Sequence, residues 1–175
     1  MKTVEATIQG ISPLLMHRFP LEPIEALEKR PPEEQAELAA YRDPEGQLFI
    51  PAIAVQRALV GAATFSKGKG RASLQKQVAA GVFVSPERLI LNLQTYIVDQ
   101  RPVVIPATRG RIVRYRPRFD EWQVKFSIEY DEALLTGTQL RRVVDDAGSR
   151  VGLLDFRPER KGPFGRFIVT SWAAD

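Results

Sequence analysis

The stretch from Trp122 to Tyr130 limits the possible folds of this chain more than any other. Trp122, Val124, Phe126, Ile128 and Tyr130 are large and apolar, while Gln123, Lys125, Ser127 and Glu129 between them are polar. An α-helix repeats every 3.6 residues and scatters such a set around its axis. A β-strand gathers it on one face. Lys2 to Ile11 repeats the pattern, with Val4, Ala6 and Ile8 on one side and Thr3, Glu5, Thr7 and Gln9 on the other. Gly10, Ser12 and Pro13 end that strand.

Between these strands the periodicity changes. Glu22 to Ala40 reads as helix split by Pro31-Pro32, with Pro32 suited to the first turn of the second piece. Leu48 to Ile50 is a short strand stopped by Pro51. Ala52 to Phe65 is a helix whose apolar stripe runs through Ile53, Leu59, Val60 and Ala63. A short helix over Ala72–Ala80 and strands over Val82–Val84 and Leu89–Val98 follow. Arg101 to Ala107 reads as an extended linker. Ile112–Tyr115 and Glu121–Tyr130 read as the two arms of a long β-hairpin spanning about 110–130. Thr136 to Ala147 is a helix with Thr136 or Thr138 as its N-cap, and Arg166 to Trp172 is the last strand. The order is βαββαβ. That predicts an α+β fold of the ferredoxin-like or RRM-like class, in which an antiparallel sheet packs on two helices. The acidic helical segment of about 22–45 is an insertion in that plan, and residues 1–175 are expected to form one domain.

Charge is unevenly spread. Eight acids face three bases between Glu22 and Glu45; of the 25 bases and 21 acids in the chain, 22 and 13 remain elsewhere. An acidic insert therefore sits on a basic body, and a basic body favours anionic partners. The chain has no cysteine, which excludes disulfides, thiolate metal sites and cysteine nucleophiles. No apolar run reaches membrane-spanning length, and MKTVEATIQG lacks a signal-peptide core. A cytoplasmic protein is expected.

Three basic segments carry the functional reading. The first holds Arg109, Arg111, Arg114, Arg116 and Arg118, with Tyr115 and Phe119 among them and no acid from Ala107 to Phe119. On an extended strand Arg114, Arg116 and Arg118 point the same way. Guanidinium forks suit phosphate and aromatic rings suit base stacking. The second segment is VGLLDFRPERKGPFGRF, where Arg157, Arg160, Lys161 and Arg166 accompany Phe164 and a Gly-Pro-Phe-Gly turn able to form an anion-binding concavity. The third is SKGKGR, with Lys67, Lys69 and Arg71 in a flexible loop. His17 is the only histidine and lacks a partner in sequence. No carboxylate cluster has metal-ligand spacing and no cofactor motif is present. Neither a metal, a cofactor nor a catalytic residue is expected.

With these segments in place, the chain resembles the RAMP superfamily of CRISPR-associated proteins, chiefly the backbone subunits that line a guide RNA. VEATIQGISPLLMHRF resembles that family's first strand and following loop, LFIPAIAVQRALVGAA its Ile-Pro entry into the first helix, and GLLDFRPERKGPFGRFIV its glycine-rich loop before the final strand. The chain is compact for that family, so the resemblance fits a relative from a phage or mobile element as well as a true CRISPR subunit. The resemblance implies a non-catalytic protein that binds single-stranded nucleic acid, RNA before DNA. It also implies side-by-side assembly as a homo-oligomer or as a subunit of a ribonucleoprotein. Two other readings stay open: a phage-like structural or assembly protein that binds no nucleic acid, and an RNA endonuclease using His17.

Overall fold

The computed structural model describes residues 1–175. In chain order the strands are β1 (Lys2–Gly10), β2 (Leu14–Leu15), β3 (Phe49–Pro51), β4 (Val82–Ser85), β5 (Arg88–Ile90), β6 (Ile97–Val104), β7 (Arg111–Phe119), β8 (Gln123–Tyr130) and β9 (Phe167–Ala174). The helices are α1 (Ile24–Leu27), α2 (Pro32–Leu38), α3 (Ala52–Ala62), α4 (Gln75–Gly81) and α5 (Gly137–Asp146). This is a mixed α+β fold with antiparallel sheets.

The main sheet has the order β4-β8-β1-β9. β1 runs antiparallel to β8, with Val4 opposite Ile128 and Ile8 opposite Val124, so the two alternating faces become one apolar surface. Val4, Ala6, Ile8, Val124, Phe126 and Ile128 are buried there, against Val55 and Leu59 of α3 and Leu140, Val143 and Val144 of α5. Burying a side chain of this size contributes about 1.5–3 kcal/mol, which is why the period-two residues decide the layer. Trp122 closes one end, its indole N–H donating to the Ser12 carbonyl at 2.9 Å. Gly10 is required beneath it, because a Cβ at that position would overlap the indole ring. α5 starts with a capping box in which the Thr136 hydroxyl accepts from the Gln139 N–H and the Gln139 side chain accepts from the Thr136 N–H.

Three expectations need correction. The hairpin of about 110–130 does not exist. β7 pairs with β6 and β2, while β8 pairs with β1 and β4, so the two proposed arms lie in different sheets. The segment read as a linker from Arg101 is instead the second half of β6, and the true hairpin is β6–β7 with its tip at Pro106–Gly110. The physical reason is that β8 has a fully apolar face, which the central sheet position buries on both flanks. Arg114, Arg116 and Arg118 of β7 cannot enter that core. Second, Leu89–Val98 is not one strand; a loop separates β5 from β6. Third, Ile53 of α3 lies outside the core and is 55% exposed, because Ala52, Val55, Ala58, Leu59 and Ala62 form the buried stripe. The acidic segment supplies α1 and α2, and α2 packs on β7 and β6 of the same chain.

Candidate nucleic-acid interface

β7 alternates between two faces, and Arg114, Arg116 and Arg118 share one of them. Across the β6–β7 hairpin Arg114 lies opposite Arg101 and Arg116 opposite Asp99. The loop from Gly152 to Gly165 packs onto this face. Its own backbone holds it in shape: Phe164 N–H donates to the Phe156 carbonyl at 3.0 Å, Gly162 N–H to Arg157 at 3.0 Å and Gly165 N–H to Pro13 at 2.8 Å. Gly165 has a positive φ of 75°, and a Cβ there would overlap the Leu153 carbonyl oxygen. The glycines therefore serve close approach of the chain to itself. The Gly-Pro-Phe-Gly amides are already spent, so the anion-binding concavity read from sequence is not formed.

Contact between loop and hairpin consumes part of the basic strand. Arg116 is only 5% exposed and its guanidinium forms an ion pair with Asp155. Arg118 pairs with Asp120 at 2.7 Å and reaches Asp99 at 3.8 Å. Arg101 pairs with Asp99 at 2.9 Å. Phe164 is buried (7% exposed), with the Arg101 guanidinium 4.7 Å and that of Arg118 5.4 Å from its ring centre. Two arginines of the acid-free run from Ala107 to Phe119, Arg116 and Arg118, are thus neutralised by acids outside it. Phe164 stacks on arginines of its own chain and has no free face for a base. Tyr115 and Phe119 point away from the arginine face: Tyr115 is half-buried beside Gln35 and Ala39 of the acidic lobe, and Phe119 is in the core.

What stays open is a trough between the hairpin and the Asp155–Arg160 segment, about 860 Å³ in volume, walled by Val103, Val104, Phe156, Arg101, Arg157 and Arg160. It continues past Arg114 and the 82% exposed Phe19. It meets a second cleft of about 340 Å³ on the α3 side, which Arg57 and Arg160 both line. Arg57, Arg114 and Arg160 form no ion pair within the chain; Arg157 is held by Glu159 at 3.0 Å and by the Leu154 carbonyl at 2.8 Å. Unpaired guanidinium groups beside exposed apolar side chains suit a strand that offers phosphates and base faces together.

His17 stands where these clefts meet. Its Nδ1 is 3.9 Å from Asp155, and both ring nitrogens are buried without a hydrogen-bond partner. Burial pushes the imidazole down to about 4; Asp155 opposes the shift, and Arg114 and Arg116 add to it. The ring is neutral at pH 7.

The remaining sequence candidates fall outside the trough. Arg109 and Arg111 are exposed at the hairpin tip, Arg109 with φ of 54°. Lys161 is exposed and lines none of the trough clefts, and Arg166 immediately precedes β9. Lys67, Lys69 and Arg71 occupy an exposed loop on another side of the molecule. There Lys69 shares a cleft with Glu132 and Gln139. Two of the three basic segments converge and the third does not. The open face of the main sheet carries Thr3, Glu5, Thr7, Lys125, Ser127 and Glu129, without a basic stripe. The sequence pattern does not single out Arg57, Arg101 or Phe156. Arg101 was hidden in an apparent linker, Arg57 was a lone base on a helix, and nothing local marked either.

No family model matches this chain, and no curated protein matches it. Its fold is similar to that of a chain in a cryo-EM structure of the Type III-B Cmr-beta bound to cognate target RNA, with a TM-score of 0.62 at 11% sequence identity. The likeness covers 99% of this chain and 60% of that one, so this chain spans about three-fifths of its neighbour's length. At that identity the likeness concerns the fold.

Proposed function

We propose that this protein is a non-catalytic single-stranded RNA-binding protein of the RAMP type that works as a subunit of a ribonucleoprotein assembly. The observation that carries this reading is the convergence of the β6–β7 hairpin and the Asp155–Arg160 segment on one trough with unpaired arginines and exposed apolar walls. Two things support the RAMP placement. One is the likeness to a chain of an RNA-bound Type III-B complex. The other is the main sheet: counted along the chain its strands lie second, third, first, fourth, the arrangement of a ferredoxin-like sheet with α3 and α5 beneath. Arg57, Arg114 and Arg160 hold phosphates in this reading, and Phe19 and Phe156 offer faces to bases. Fluorescence anisotropy with an unstructured RNA across a salt series tests it. Each phosphate contact contributes about −0.7 to the slope of log K against log salt, so a flat dependence is incompatible with the proposal.

His17 favours a second reading, an RNA endonuclease. A neutral imidazole with two unpartnered nitrogens beside Asp155 has a lone pair that can accept a proton as a general base. Under this reading wild-type protein cleaves the bound strand, and His17→Ala abolishes cleavage while binding persists. An intact strand after long incubation with wild-type protein removes it.

A further inference from the structure

Long sheet edges are usually protected against pairing with other chains, and this fold protects two of its own. The free side of β4 is occupied by the Gln56 carboxamide, which donates to the Val82 carbonyl at 2.6 Å and accepts from the Val84 N–H at 3.1 Å. β6 carries Pro102 directly after charged Arg101, with Asp99 three positions before it. Both are standard defences of an edge. β9 has neither. It ends the main sheet, and its eight residues, FIVTSWAA, contain no charge, proline or glycine, with strand-favouring Phe, Ile, Val, Thr and Trp among them. No hydrogen bond reaches its outer side; the bonds that hold it run to β1.

We infer that the open edge of β9 pairs antiparallel with β9 of a second copy of this chain, joining two main sheets into one about a two-fold axis. Charge selects the partner and the register. Arg166 precedes the strand and Asp175 follows it; both are accessible and neither forms an ion pair within the chain. A two-fold pairing that sets Arg166 against Asp175 of the second copy makes that contact twice and places Val169 opposite Trp172. Backbone geometry agrees. Asp175 N–H donates to Thr3 and Arg166 accepts from Ile11, while the register breaks between Thr7 and Ile8. Hydrogen-bond direction alternates along a strand, so on either side of that break the backbone groups of Val169 and Trp172 both face outward. The interface is isologous, which closes the pair at two copies.

Sedimentation of nuclease-treated protein over a concentration series tests this independently of RNA binding. Wild type is expected to associate reversibly from 19.7 kDa to twice that mass. Ser171 is exposed at the centre of the edge, and Ser171→Lys, which sets like charges across the axis, is expected to leave a monomer that still binds RNA. Arg166→Glu alone and Asp175→Arg alone are each expected to weaken association several-fold, and the two together to restore it. A monomer at every concentration overturns the inference, as does association indifferent to Ser171→Lys, or failure of the double reversal to restore what the single ones lose.

Discussion

Arg116 and Asp155 show how a residue read from sequence as a ligand contact can be a structural one. The Arg116 guanidinium is buried and its Nε has no partner, so Asp155 is its main compensation. Removing one member of a buried pair strands the other. Because Asp155 is itself 38% exposed, Asp155→Asn is expected to cost roughly 2 kcal/mol, below the 3–5 kcal/mol of a fully buried pair. Urea unfolding reads this directly. Arg116→Ala is therefore a poor probe of RNA binding, and Arg57→Ala and Arg160→Ala are the informative ones. His17 adds a pH dependence. Its imidazole falls from 6.5 unfolded to about 4 folded, so the folded state resists its protonation. Stability is fully present above pH 6.5 and declines as pH falls toward 4, by up to about 3 kcal/mol. In His17→Phe this part of the decline is expected to vanish. An unchanged slope of stability between pH 6.5 and 5 would count against the burial of that ring.

At the level of elements, β1, β8, α3 and α5 were legible because their apolar periodicity matches the layers they build. Pairing was less legible. β7 and β8 are neighbours in sequence joined by a short turn, and adjacency suggested a hairpin. The sequence contains no statement that Trp122–Tyr130 is wanted on both flanks by β1 and β4. β6 was obscured by Arg101-Pro102, since a proline at a free sheet edge looks the same as one in a linker. The glycine-rich loop is legible in the sequence and its purpose is not. Its glycines let Leu153–Asp155 and Phe164–Gly165 approach each other, which presents Arg157 and Arg160 to the trough. Gly165→Ala places a Cβ against the Leu153 carbonyl at a left-handed φ. It is expected to lower stability by about 1–3 kcal/mol and to weaken RNA binding beyond that loss, whereas Gly46→Ala, open to solvent, is expected to leave binding unchanged. Proteolysis within Arg157–Lys161 would report the loosened loop.

Over the whole molecule, the charge map separates functions. The acidic lobe covers one side of the β6–β7 hairpin through α2, and the trough lies on the other. The main-sheet face carries Glu5 and Glu129 and offers no basic stripe, so the proposed binding side is the smaller sheet and the C-terminal loop. The candidate site was half legible for the same reason: charge runs can be counted along a chain, but the acids that neutralise them come from remote segments. The most direct test compares three proteins by RNA anisotropy across a salt series. Wild type is expected to bind with a steep negative salt slope. Arg57→Ala/Arg114→Ala/Arg160→Ala is expected to lose about 2 units of that slope, as three phosphate contacts require, while Lys67→Ala/Lys69→Ala/Arg71→Ala keeps it. Equal losses in the two triple variants, or a larger loss in the Lys67–Arg71 one, would contradict the trough as the binding site.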